Sequence, residues 1–201
     1  MIAIIDYDAG NTKSVEKAVR YLGYECELTR DPDKIRNAER LILPGVGAFG
    51  DAMGNIRRFG LEDLIKEGVK EGKPFLGICL GLQLIFATSE ESEGVRGLDL
   101  VPGSIIKLPP KPGYKIPHMG WNSINIDPES RLFAGIPDQS YVYFVHSYYL
   151  DCKDKDDVAA TAEYTATIDA AVEHENIFAC QFHPEKSGET GLKILKNFCN
   201  I

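Results

Sequence analysis

From Ile2 to Thr88, short apolar runs alternate with stretches of helical spacing, and this alternation confines the chain to a mostly parallel sheet covered by helices on both faces. Ile2 to Ile5 is an apolar run ending in Asp6. The turn Asp8-Ala9-Gly10-Asn11 then opens a helix near Thr12 to Leu22, with Asn11 as its N-cap. Tyr24 to Thr29 reads as a second strand, and Arg40 to Leu43 as a third, cut off by Pro44-Gly45. Asp51 to Phe59 and Leu61 to Glu71 are helical in spacing. Lys73 to Ile78 is a buried strand that runs into Cys79, and a helix follows from about Leu80 to Thr88.

The second half changes character. Ser104 to Leu108, Asn122 to Ile126, Tyr141 to Val145, Val158 to Tyr164 and Ile168 to His174 are short runs separated by turn residues, the pattern of a mostly antiparallel extension. Ile177 to Phe182 returns as a core strand, and Ser187 to Cys199 is a closing helix. No repeat or linker interrupts the chain, so residues 1–201 are expected to form one domain of the α/β class.

Composition excludes several functions. With 22 Lys and Arg against 30 Asp and Glu, the formal net charge is -8, which argues against a nucleic-acid or anionic-membrane surface. The acidic cluster from Asp151 to Asp157 is expected to be a solvated loop. The five cysteines are widely spaced and form no C-x-x-C pair, so neither a zinc knuckle nor a dithiol redox site is indicated. The start of the chain reads as a strand and not as a signal peptide, no apolar run approaches the ~18 residues of a membrane span, and a reducing cytoplasm is the expected location.

The chemistry concentrates at Gly77-Ile78-Cys79-Leu80-Gly81, a G-x-C-x-G pattern between a strand and a helix. The serine form of this pattern is the nucleophile elbow. The turn is tight enough that side chains two places either side of the nucleophile would collide with backbone, which accounts for the glycines. The N–H groups opening the next helix favour the thiolate and can hold an oxyanion formed on a substrate.

A nucleophilic cysteine needs a proton carrier, and four histidines are available: His118, His146, His174 and His183. His183 follows the strand Ile177 to Phe182 and begins His183-Pro184-Glu185. If that strand lies parallel to the one ending at Cys79, both residues emerge at the same sheet edge, where open α/β sheets place their sites. Glu185 can then turn back to orient the imidazole. His146 is the rival base, ending a strand with no acid close behind; His118 could line the site, and His174 is expected to be exposed. Gly45-Val46-Gly47-Ala48-Phe49-Gly50 matches a dinucleotide fingerprint in form only. It follows the third strand, and the acidic residue expected ~20 positions on is missing. It reads instead as a backbone loop beside Cys79 that offers N–H groups to an oxyanion.

Pro44-Gly45-Val46-Gly47, Gly77-Ile78-Cys79-Leu80-Gly81-Leu82-Gln83 and His183-Pro184-Glu185, in this order and spanning nearly the whole chain, resemble the triad-type (class I) glutamine amidotransferases. Asp6-Tyr7 with Gly10-Asn11, Pro117-His118-Met119-Gly120-Trp121-Asn122 and His183-Pro184-Glu185-Lys186-Ser187 look like the branch that forms the glutaminase subunit of imidazole glycerol phosphate synthase, in histidine biosynthesis. That branch usually has Gly where this chain has Asp8.

The resemblance implies a catalytic triad of Cys79, His183 and Glu185 that hydrolyses glutamine to glutamate and ammonia through a cysteinyl thioester. Oxyanion donors would come from Leu80 and the Gly45-Val46-Gly47 loop, and Gln83 with the backbone at Ser147-Tyr148 would hold the glutamine head group. Ammonia would pass to a cyclase subunit, a (β/α)8 barrel forming a heterodimer with this chain, across a surface near Pro117, His118, Met119, Trp121 and Lys186. No cofactor or metal is implied. The oxyanion loop is expected to be unformed in the free chain, because an ungated glutaminase would waste glutamine. The alternatives are the glutaminase subunit of another synthase, such as one making pyridoxal phosphate or aminobenzoate; a related cysteine peptidase or deglycase; and a scaffold with a dead triad.

Overall fold

The computed structural model describes residues 1–201. The N-terminal half alternates as its pattern predicts: β1 (Ile2–Ile5), α1 (Thr12–Tyr21), β2 (Cys26–Thr29), α2 (Pro32–Asn37), β3 (Arg40–Leu43), α3 (Phe49–Arg58), α4 (Leu61–Lys70), β4 (Phe75–Ile78) and α5 (Leu80–Leu84). Strands β5 (Thr88–Ser89), β6 (Gly103–Lys107), β7 (His118–Ser123), β8 (Asn125–Ile126), β9 (Tyr141–His146), β10 (Tyr148–Cys152), β11 (Val158–Glu163), β12 (Thr167–His174) and β13 (Ile177–Cys180) follow, and α6 (Gly188–Asn200) closes the chain. The main sheet has the order β2-β1-β3-β4-β13-β12-β10-β6-β5, with β11 joined to β12 and β8 to β11. Its half from β2 to β13 is parallel, and β12, β10 and β6 continue it antiparallel. Strands β7 and β9 form a separate antiparallel pair.

Alternation along each strand sorts the core into two layers. Ile2, Ile4, Ile42, Leu76, Ile78 and Phe178 point to one face, where α1 (Val15, Val19) and α6 (Ile194, Leu195, Phe198) cover them. Ala3, Ile5, Leu41, Leu43, Phe75 and Ala179 point to the other, under α2, α3 and α4 (Ile35, Met53, Ile56, Ile65). Strands β1, β4 and β13 are buried on both sides, so their sequences are continuous apolar runs.

The structure departs from the sequence reading in several places. Helix α2 was not expected, although its signals are present: Asp31 accepts from the Asp33 N–H at 2.9 Å and Pro32 opens the helix. Helix α5 stops at Leu84, well before Thr88, because residues 97–100 take the carbonyls that would continue it: Leu98 N–H donates to Leu84, Leu100 N–H to Ile85 and Gly97 N–H to Ala87. The expected strand Asn122 to Ile126 divides into β7, paired with β9, and β8, paired with β11. Strand β10 was missed because the apolar run from Tyr141 changes sheets at Ser147. Asp151 to Asp157 is not simply a solvated loop, since Lys155 Nζ binds Asp151 at 3.2 Å and Asp169 at 2.7 Å while Asp157 binds His174 at 2.9 Å. His174 is correspondingly half-buried and not exposed.

Candidate active site

Strands β4 and β13 are parallel neighbours, with Ala179 opposite Gly77 and Cys180 opposite Ile78, so Cys79 and the residues after Cys180 leave the sheet at one edge. Cys79 N–H still donates to Cys180 C=O at 2.8 Å, after which the chain turns sharply. Cys79 has φ 55 and ψ -105, a strained conformation for a residue with a side chain. Its neighbours make the turn possible: a Cβ on Gly77 would lie 2.7 Å from Gly81 O, and one on Gly81 only 1.8 Å from Leu43 O. The elbow is therefore wedged against β3, and Cys79 Sγ is held at the floor of a cavity.

His183 is fixed from several sides. Its N–H donates to Tyr143 O at 2.9 Å, and Ser187 Oγ–H donates to His183 O at 2.7 Å while accepting from Tyr143 N–H at 2.9 Å. Glu185, in the single turn Pro184–Lys186, brings Oε1 to 2.8 Å from His183 Nδ1, and both side chains are wholly buried. Nε2 of His183 has no acceptor in the geometry of a formed hydrogen bond and is left to act on Cys79. Burial works to lower the His183 pKa, but the nearby Cys79 sulfur and the Glu185 carboxylate on Nδ1 outweigh it and raise the value to about 9.

Asn11, expected to be a helix cap, makes no side-chain cap bond and has φ 68. Its Nδ2 donates to Glu185 Oε1 at 2.5 Å instead. Nδ2 also lies 3.4 Å from His183 Nδ1, but that nitrogen's proton is committed to Glu185, so the carboxylate is the acceptor.

The rival base is occupied. His146 places Nε2 3.0 Å from His118 Nδ1 and Nδ1 3.0 Å from Tyr148 O. Burial lowers its pKa to about 3, and burial lowers that of His118 to about 4. A neutral chain satisfies the whole set: His118 Nδ1–H donates to His146, and His146 Nδ1–H donates to Tyr148 O. His118 is 3% exposed and stacks on Phe144 and Tyr164, so it presents no surface to a partner, contrary to the sequence reading. Met119 (62% exposed), Trp121 (55%) and Tyr141 (61%) do present surface, and Pro117 and Lys186 are exposed. Trp121 is thus not a core tryptophan.

The cavity over Cys79 has a volume of about 340 Å³ and is lined by Val46, Gly47, Leu80, Gln83, Ser147 and Tyr148 among others. Gln83 is buried and donates through Nε2 to Tyr148 O at 3.0 Å and to Gln181 Oε1 at 3.1 Å. Two lining or supporting residues escaped the sequence reading. Glu91 reaches the cavity and accepts from the Phe49 N–H at 2.7 Å, which ties it to the start of α3. Gln181 lies fully buried with Nε2 3.8 Å from Cys79 Sγ; its polarity inside the run Ile177 to Phe182 was the available signal.

The loop after β3 is held in a closed form. Tyr7 Oη–H donates to Pro44 O at 2.8 Å, and a Cβ on Gly45 would lie 1.9 Å from that hydroxyl. Leu80 N–H, one of the two expected oxyanion donors, donates to Gly45 O at 3.3 Å. Val46 N–H makes no hydrogen bond within the protein, and Gly47 has φ 117. Turning the Gly45–Val46 peptide plane over would release Leu80 N–H and swing Val46 N–H toward the site in one motion.

A cysteine on an elbow and a buried histidine–carboxylate pair are groups that acyl transfer through a thioester can use. The family described as "Glutamine amidotransferase class-I" matches residues 3–201. Imidazole glycerol phosphate synthase subunit HisH of Caldanaerobacter subterraneus subsp. tengcongensis is 52% identical over 98% of this chain and 97% of its own length. The protein of the same name from Methanothermobacter thermautotrophicus is 51% identical over 100% of this chain and 98% of its own. Among solved structures, a glutamine amidotransferase superposes with a TM-score of 0.77 at 17% identity over 99% of this chain and 100% of its own. PurLQS from Thermotoga maritima superposes with a TM-score of 0.76 at 20% identity over 99% and 97%, and at these identities both likenesses concern the fold.

Proposed function

Because the chain belongs to the class I glutamine amidotransferases, we propose that it is the glutaminase subunit of imidazole glycerol phosphate synthase, acting as one domain over residues 1–201 in the cytoplasm. The single observation that carries the catalytic reading is the geometry joining Cys79, His183 and Glu185 at one sheet edge, over a cavity of substrate size.

The mechanism follows from this geometry. Cys79 thiolate attacks the side-chain carbonyl carbon of glutamine, and the carbonyl oxygen becomes an oxyanion held by the N–H groups of Leu80 and of the turned-over Val46. The His183 imidazolium, kept protonated by its neighbours, gives its Nε2 proton to the departing nitrogen as the C–N bond breaks, releasing ammonia. Glu185 Oε1, itself held by Asn11, keeps Nδ1 protonated and Nε2 facing the sulfur. Neutral His183 then takes a proton from water, which attacks the thioester. The C–S bond breaks, glutamate leaves, and the thiolate–imidazolium pair is restored. Gln83 Oε1 and the Glu91 carboxylate present acceptors to the α-ammonium of glutamine, and the backbone at Ser147-Tyr148 closes the cavity beside it.

The released ammonia passes to the cyclase subunit, a (β/α)8 barrel, which docks on the exposed patch of Met119, Trp121, Tyr141 and Lys186, with Pro117 between that patch and the cavity. In the free chain the Gly45 carbonyl blocks Leu80 N–H, so hydrolysis awaits the partner. A glutamine-analogue electrophile should label Cys79 alone, found by mass spectrometry of the digested protein. Labelling at a rate no greater than that of Cys26 or Cys152 would reject the reading in favour of a peptidase, deglycase or scaffold.

A further inference from the structure

We propose that Gln181 is a positioning residue that sets which end of the Gln83 amide faces the substrate. The inference rests on the glutaminase reading and adds the residue that fixes its polarity of recognition.

An amide side chain is ambiguous: one end donates and the other accepts, and rotation about its last bond exchanges them. In the cavity the two ends would select opposite ligands. The oxygen of Gln83 accepts from an ammonium, whereas its NH2 would repel one. Two contacts remove the ambiguity. Tyr148 O can only accept, and it receives Gln83 Nε2–H at 3.0 Å. The second hydrogen of Gln83 Nε2 goes to Gln181 Oε1 at 3.1 Å. Both donors are then committed, and only Oε1 remains for the cavity.

Gln181 is itself prevented from turning over. Its Nε2 lies 3.8 Å from Cys79 Sγ and donates to the sulfur. In the reversed state its oxygen would face the lone pairs of the sulfur and its NH2 would face the NH2 of Gln83, two mismatches at once. The backbone holds it in place, because Gln181 N–H donates to Ala170 O at 2.8 Å, and the side chain is 0% exposed, so no water substitutes for either partner. Tyr148 O also accepts from His146 Nδ1–H at 3.0 Å, which fixes the far end of the chain. The nucleophile and the residue that reads the substrate's ammonium are thus joined through one buried side chain.

The test is glutamine hydrolysis by the complex with the cyclase subunit and its nucleotide ligand, measured as KM and kcat separately. Gln181→Met fills the same space without an acceptor, and KM for glutamine should rise about tenfold, the loss of one well-directed hydrogen bond. Gln181→Glu, protonated beside the sulfur, keeps an acceptor toward Gln83 and a donor toward Cys79, and KM should stay within about twofold of the parent. In a Gln83→Met background, Gln181→Met should leave KM where Gln83→Met alone puts it. Circular dichroism melting checks folding; if Gln181→Met does not fold, Gln181→Asn, one methylene shorter, withdraws the acceptor and should raise KM alike. An unchanged KM in the Met or Asn variant, an equal rise in the Glu variant, or an additive rise in the double variant overturns the inference. If the parent complex hydrolyses no glutamine, it is the glutaminase reading that fails.

Discussion

Val46→Pro separates the closed loop from the catalytic one. In the structure Val46 N–H has no partner and Val46 has no positive φ, so a proline there removes no existing hydrogen bond. The preceding residue is Gly45, which tolerates the extended conformation that proline imposes on its neighbour. Val46 is 38% exposed and its loss costs only the contact of its side chain with Gly10, so the cost to stability should stay at or below about 1 kcal/mol. The cost to catalysis should be large. When the Gly45–Val46 plane turns over, the site gains two donors, Leu80 N–H and Val46 N–H, and proline withdraws one. Loss of a single oxyanion donor costs about 3 kcal/mol, or about a hundredfold to a thousandfold in kcat. The assay is steady-state glutamate release in the complex, with Val46→Ala, which keeps the N–H, as control. Val46→Ala should retain activity within a few-fold, and Cys79 in Val46→Pro should still react with iodoacetamide. A Val46→Pro complex with the parent kcat would refute the peptide-turning argument, and the second oxyanion donor would have to lie elsewhere.

Other consequences follow from the same contacts. Asn11→Ala deprives Glu185 of its donor, and kcat should fall about tenfold with little change in KM, in line with loss of a hydrogen bond to a charged group. His183, raised to about 9, should hold its proton through neutral pH; its ring resonance in NMR should titrate near 9, and the midpoint should drop in Cys79→Ala, where the sulfur is gone. His118 and His146 are depressed, so between pH 6.5 and about 4 the unfolded chain binds protons that the folded chain refuses, and stability should fall as pH falls. Each histidine contributes a slope of up to about 1.4 kcal/mol per pH unit, and His118→Asn should flatten the urea-derived stability profile between pH 6.5 and 5.

Much of this fold could be read before any coordinates. The parallel half announced itself because β1, β4 and β13 are buried on both faces and their apolar runs cannot be mistaken for amphipathic edges. The elbow was equally legible, since the wedge of Gly81 against Leu43 O leaves glycine as the residue without a clash there. The antiparallel half was harder. Strands β9 and β10 are one apolar run that changes partners at Ser147, and pairing is a tertiary fact that periodicity does not carry. Helix α5 had the composition to continue but lost its carbonyls to residues 97–100. In the site, motif and order singled out Cys79, His183 and Glu185, which the structure brings to one sheet edge. Asn11 and Gln181 were missed because an amide side chain looks the same in sequence whether it caps a helix, faces solvent or orients a neighbour. The one local hint was a polar residue, Gln181, between Cys180 and Phe182, both completely buried.

Glutamate release from glutamine tests the central claim most directly, measured for the chain alone, for the chain with the cyclase subunit and its nucleotide ligand, and for Cys79→Ala in both settings. The account predicts little release from the free chain, where Gly45 O occupies Leu80 N–H, a rise of at least about a hundredfold in the complex, and none in the Cys79→Ala variant. Equal activity with and without the partner would contradict the gate, and persistence of activity in Cys79→Ala would contradict the nucleophile on which the account stands.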